Sequence, residues 1–139
     1  MINEFKNYID QLKSLGLRPT KQRLAICKIL FSRSDTFHFT IEKLKKIIEK
    51  HNKNEISLAT LYNTVYALKK KGSLKEVFLQ GNKTFFDTNT KNHQHFYDED
   101  TGELLDIKND NMFVGKVPKA PIGKKIKKIE VTVRIARDN

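Results

Sequence analysis

His93-Gln94-His95 is the densest run of chemistry-bearing side chains in this sequence. In a strand, residues two apart project on the same side, so both imidazoles can reach one centre. Asp87 precedes the pair, and Asp106 falls on the partner strand of an expected hairpin. His38 lies between two expected helices, in a loop able to fold back toward the same place. Two or three histidines with two aspartates make a nitrogen–oxygen donor set for zinc, ferrous iron or manganese; lacking thiolates, it is not a soft site. The same cluster could serve a small metallohydrolase, given an open coordination position and a general base. Glu99 is the conceivable base, and no pocket motif accompanies it. His51, between Lys50 and Asn52, reads instead as a solvent-facing residue at a helix end. Histidine pairs are common on surfaces, so the surrounding elements decide.

A second stretch offers chemistry of another kind. Ser57 to Lys71 starts on a good N-cap and ends at Gly72, where a left-handed residue belongs. Leu58, Leu61, Val65 and Leu68 share one helical face, which goes to a core. The opposite face carries Ala59, Thr60, Asn63, Ala67 and Lys70, flanked by Tyr62 and Tyr66. Small residues permit close approach, and Thr, Asn and Tyr offer hydrogen bonds to base edges or phosphates. A phosphate also suits the N-terminal end at Ser57. The pattern is that of a helix for the DNA major groove; taken alone it also fits an ordinary amphipathic surface helix.

Charge favours the first of these. The chain has 139 residues, a formal net charge of +11 and a pI near 9.7. Residues 1–86 hold 17 Lys and Arg against 7 Asp and Glu, and residues 87–139 hold 10 against 9. The excess therefore lies almost wholly in the front half, the part that would meet a phosphate backbone. One cysteine, Cys27, excludes an internal disulfide and a zinc site built from Cys pairs. It reads as a small core residue. No apolar run could span a bilayer and no signal-peptide pattern opens the chain, so a cytoplasmic location without a membrane partner is expected.

The elements that must position these residues follow from periodicity. Helices are expected over 3–15 (Phe5, Tyr8, Ile9, Leu12 and Leu15 in one stripe), over 21–32 after Thr20, and from Ile41 after Thr40. After the Ser57 helix, Leu74–Leu79 and Thr84–Phe86 read as strands about a turn at Gly81-Asn82. Three helices, a charged capped one and a basic hairpin make a winged helix-turn-helix, with Lys83 on the DNA backbone. Residues 87–92 read as a polar hinge. Beyond it, 94–97 and 103–107 are strands joined by an acidic turn, and 126–135 alternates as a half-buried strand. So small a sheet needs a second copy beside it. The expectation is an α+β chain: a winged-helix DNA-binding domain over 1–86, a hinge over 87–92, and a small, mostly strand, dimerisation and sensing domain over 93–139.

Several runs carry a family resemblance: Gly16-Leu-Arg-Pro-Thr-Lys-Gln-Arg23, His38-Phe-Thr-Ile-Glu-Lys-Leu44, Ile56-Ser-Leu-Ala-Thr-Leu-Tyr-Asn-Thr64, Gly81-Asn-Lys-Thr-Phe-Phe-Asp-Thr-Asn89, His93-Gln-His-Phe96 and Gly102-Glu-Leu-Leu-Asp-Ile107. The chain resembles the ferric uptake regulator family. Asn63 and the Phe-Asp-Thr-Asn run resemble its haem-sensing iron response branch. The resemblance implies a homodimeric transcription factor of iron homeostasis, a repressor or an activator, that binds double-stranded DNA and is not an enzyme. It implies that Arg18 reaches the minor groove and Tyr62 touches bases, beside Ser57, Thr60, Asn63, Lys70 and Lys83 from the residue reading. It assigns His38, Asp87, His93, His95 and Asp106 to an inter-domain metal site, and His93 with His95 to haem, with DNA released when haem binds. Three departures stand out. The Cys-x-x-Cys zinc motif is absent, with Asp98 and Thr101 near its first pair. Gln94 interrupts the branch's three consecutive histidines. No Cys-Pro dipeptide is present. A regulator of this fold that has lost sensing is the alternative.

Overall fold

The computed structural model describes residues 2–52, 55–79, 83–108 and 115–138. It divides into two compact units, Met1–Thr90 and Lys91–Asn139.

In the first unit the chain runs α1 (Ile2–Ser14), α2 (Lys21–Phe31), β1 (His38–Phe39), α3 (Ile41–Asn52), α4 (Leu58–Lys71), β2 (Lys75–Phe78) and β3 (Thr84–Asp87). Each later helix starts on a hydroxyl that takes up an orphan N–H: Thr20 Oγ1 accepts from Arg23, Thr40 from Lys43, and Ser57 Oγ from Thr60. Gly72 ends α4 at φ 92°, and its N–H reaches the carbonyl of Lys69 at 3.0 Å while that of Ser73 reaches Leu68 at 2.9 Å. A side chain there would be strained in the left-handed region. Ile26 and Leu30, Leu44 and Ile48, and Leu61, Val65 and Leu68 converge on Phe39 and Phe86 in one core. Tyr8, Leu12 and Cys27 form a smaller cluster under α1. Burial pushes the Cys27 thiol up to about 11, so it stays protonated and inert.

Two details of the helical reading change. Leu58 is 50 % exposed, whereas Thr64 is fully buried. The buried arc of α4 is centred between Leu61 and Leu68, which leaves Leu58 at its margin and takes Thr64 inside. The Thr64 hydroxyl tolerates this because it donates to the Thr60 carbonyl at 2.7 Å. The sheet order is β1-β3-β2, all antiparallel, with β3 in the middle. β1 falls where a loop was expected, and β2 is shorter than the 74–79 strand expected. The turn expected at Gly81-Asn82 lies outside the described residues.

In the second unit β4 (Gln94–Asp98) is central, antiparallel to β5 (Leu104–Ile107) and parallel to β6 (Thr132–Ile135). The β4–β5 turn is closed by Asp98, whose Oδ1 accepts from Asp100 and Thr101 at 2.9 and 3.3 Å. Only the end of the expected 126–135 strand forms. β4 offers His95 to Asp98 as partners for Thr132 to Ile135, so the residues before Val131 have no ladder to join and stay exposed.

Candidate functional site

The donors of the second unit are built by strand alternation. His93, just before β4, and His95 within it stand on the same side, with ring centroids 4.4 Å apart. His95 pairs in register with Asp106 of β5. Asp106 Oδ1 lies 3.1 Å from His93 Nε2 and 3.3 Å from His95 Nε2. Both imidazoles are buried, and the carboxylate is a third exposed. His93 Nδ1 sits 2.5 Å from the Lys91 carbonyl, which can only accept, so the proton of a neutral ring is assigned to Nδ1. Its Nε2 lone pair then faces a carboxylate oxygen, an arrangement that suits a metal ion between them. A backbone carbonyl that fixes the tautomer of a ligating histidine is the usual outer support of a metal site.

The donors of the first unit are a pair across the short β1–β3 ladder, where His38 and Asp87 are register partners. His38 Nε2 lies 3.0 Å from Asp87 Oδ2. Asp87 is fully buried, and its Oδ1 accepts from the Asn89 amide at 2.8 Å. The fit of both groups to an ion can be checked on their spacing. Ligands about 2.1 Å from a metal stand about 3.0 Å apart in an octahedron and about 3.4 Å in a tetrahedron. The three separations above lie in that range. Gln94, by contrast, points away from the donors and spends its side chain on the sheet, its Oε1 accepting from Val131 at 2.6 Å. It gives haem no third ligand.

The residues expected to meet DNA, Arg18 apart, lie on or near α4. Tyr62, Asn63 and Lys70 are exposed on its outer face; Ser57 and Thr60 form its cap. Lys83, exposed ahead of β3, lines a small pocket with Tyr62 and Tyr66 and stands 3.6 Å from Glu42. Arg18 is exposed in the α1–α2 loop, where its carbonyl accepts from the Arg23 guanidinium at 3.0 Å. Sequence reasoning missed Tyr66's role as a ring partner: it stacks on Tyr62 and meets Phe86 edge-on. Helical spacing alone could have paired Tyr62 with Tyr66; nothing local could have supplied Phe86.

A capped helix beside a three-stranded wing, with a separate strand-rich unit bearing a His/Asp donor set, defines the class of winged-helix transcription regulators. The chain belongs to the ferric uptake regulator family, whose model matches residues 14–134. The peroxide-responsive repressor PerR of Staphylococcus aureus is 35 % identical over 105 residues, covering 76 % of this chain and 69 % of that protein. The fold is shared with the Vibrio cholerae ferric uptake regulator (TM-score 0.68, 22 % identity, 93 % and 98 % covered). It is shared also with the Pseudomonas aeruginosa ferric uptake regulator solved with manganese (TM-score 0.63, 18 % identity, 95 % and 98 % covered). Members of the family are metal-responsive, DNA-binding transcriptional regulators, typically dimeric, and not enzymes. The hydrolase reading falls with that, and Glu99, its candidate base, is exposed 3.7 Å from Arg134. Among the described residues no helix is long and apolar enough to cross a membrane.

Proposed function

We propose that the chain is a homodimeric, sequence-specific regulator of iron homeostasis, acting in the cytoplasm, whose grip on double-stranded DNA is set by one divalent metal ion held jointly by His38, Asp87, His93, His95 and Asp106. The observation that carries this reading is the placement of His93, its Nδ1 against the Lys91 carbonyl and its Nε2 3.1 Å from Asp106 Oδ1. Two donors in one unit and three in the other each fall short of a full shell, and together they make one for zinc, iron or manganese. When bound, the ion supplies a positive charge on which these lone pairs converge. The chain's own residues do the rest. Residues 1–86 hold the reading helix, 87–92 link the units, with Asp87 still paired in β3, and 93–139 sense and dimerise. Joining the two donor sets selects one orientation of the units, and only some orientations set the two reading helices of a dimer one groove turn apart. Arg18, Ser57, Thr60, Tyr62, Asn63, Lys70 and Lys83 are the residues proposed to touch DNA.

Haem is the weaker effector, because the imidazoles are buried against one carboxylate and Gln94 is engaged elsewhere. Peroxide is the second reading, favoured by the 35 % identity to a peroxide-responsive repressor. Of the candidate ions, ferrous iron alone is readily oxidised, so that response would need iron in the site. The test is binding to DNA from the chain's own upstream regions, with and without Mn(II), Zn(II), Fe(II), haem and peroxide. Divalent metal should change the affinity, haem should not, and peroxide should act only on the Fe(II)-loaded protein. Affinity indifferent to every metal would favour a regulator that has lost sensing.

A further inference from the structure

A row of rings joins the metal donors of the first unit to its DNA-facing helix. β1 and β3 share just two residue pairs, His38 with Asp87 and Phe39 with Phe86. Strand alternation puts the two donors on one face of this ladder and the two rings on the other. Phe39 stacks on Phe86 at 5.6 Å between centroids; Tyr66 meets Phe86 at 5.5 Å and 89°; Tyr66 stacks on Tyr62, one helical turn away, at 5.9 Å. At the far end Phe37 stacks on Phe39 at 5.5 Å and carries the Arg33 guanidinium 3.8 Å above its ring. Phe39 and Phe86 are fully buried, so they move only with their neighbours. Tyr62 and Tyr66 are 45 % and 39 % exposed and border an open pocket of about 190 Å³, which leaves their rings room to turn.

We infer that Tyr66 is a positioning residue: through Phe86 it transmits the state of the His38–Asp87 strand pair to the DNA-facing ring of Tyr62. The inference rests on the metal reading above and adds a route that lies within one unit. The two-pair ladder is held at one end by Thr88, whose N–H donates to the Phe37 carbonyl at 3.1 Å and whose Oγ1 accepts from the Phe37 N–H at 2.8 Å. His38 and Asp87, 3.0 Å apart, would hold a bound ion in place of their mutual contact, and that change would alter the angle between the strands. The rings on the reverse face follow the backbone. An edge-on contact depends on direction, since a positive ring edge meets a negative ring face. A tilt of Phe86 therefore reorients Tyr66, and the stacked Tyr62 turns with it.

The test uses full-length wild type, Tyr66→Leu and Tyr66→Phe, with Zn(II) as a diamagnetic probe. Three quantities are read: Zn(II) affinity by calorimetry, the Tyr62 ring signals by NMR, and affinity for a duplex selected from a random pool by the Zn(II)-loaded wild type. Zn(II) affinity should be alike in all three proteins. Zn(II) should shift the Tyr62 signals in wild type and in Tyr66→Phe, and leave them in place in Tyr66→Leu. The Zn(II)-dependent factor in duplex affinity, about 5- to 150-fold in usual couplings, should fall to below about twofold in Tyr66→Leu and return in Tyr66→Phe. A Tyr62 response to Zn(II) in Tyr66→Leu equal to that of wild type overturns the inference, as does failure of Tyr66→Phe to restore it. Duplex binding by wild type that ignores Zn(II) sinks the regulatory reading instead, while the ring signals still decide the role of Tyr66.

Discussion

The two three-stranded sheets of this chain are alike in size and unlike in what covers them. The first has helices against it, and its central strand buries Phe85, Phe86 and Asp87. The second buries Leu104 and Ile107 as its only fully enclosed apolar residues among those described, and His93 and His95 make up the rest of its interior. Meanwhile Leu105, Val117, Ile122, Ile126 and Ile129 stand exposed. A sheet that small cannot supply its own core. The difference teaches that the front unit is stable by packing, whereas the rear unit needs support from outside its sheet, which the proposed metal ion and second copy would supply.

The sharpest way to break this contrast is Leu61→Ala. A fully buried leucine truncated in a well-packed core should cost about 2–5 kcal/mol, read by urea unfolding. Amide protection should fall in α2 and α4 and stay unchanged in β4 and β5; a joint loss would mean the two units are one cooperative body. Next in size, Tyr62→Ala should lower affinity for the preferred duplex by roughly 1–3 kcal/mol. Lys83→Ala should instead weaken all sequences alike and flatten the salt slope by about one unit. Anisotropy titrations at several salt concentrations separate the two, and equal loss on every sequence for both would deny that the front unit reads bases.

Leu105→Lys tests the other side. It charges an exposed position on edge strand β5 and should weaken self-association by on the order of 1 kcal/mol, with the front unit's unfolding unchanged. Sedimentation velocity across a dilution series checks it; an unaltered dimer would move the interface elsewhere. The smallest effect concerns pH. The Lys45 ammonium hydrogen-bonded to Glu49 holds that carboxyl below the usual range. A lowered folded value means the contribution is present above the ordinary carboxylate pKa and lost as pH falls through the lowered one. Because the pair sits at the surface, Glu49→Gln should remove only a shallow acid limb from the front unit's melting temperature, measured against pH.

How much of this could be read from residues alone depends on the range of the determining contact. The ends of α4 were legible because Ser57 and Gly72 act on their own neighbours. His93 and His95 share a side because alternation is local, and Asp106 faces them because a short turn sets the register. Leu58 was misplaced because a helical face has a width that spacing does not give. β1 was invisible because His38 and Phe39 become a strand only through Phe86 and Asp87, nearly fifty positions away. The 126–130 stretch has the alternation of a strand and lacks a partner, and pattern alone cannot tell those cases apart.

The parallel pairing of β6 with β4 has a consequence for synthesis. A nascent chain emerged through Ile107 already contains His93, His95 and Asp106 and both strands that bring them together, yet the strand beside His95 has still to be made. During translation the front unit can therefore form before the strand that flanks His95 exists, so the rear sheet is the last part of the chain able to complete itself.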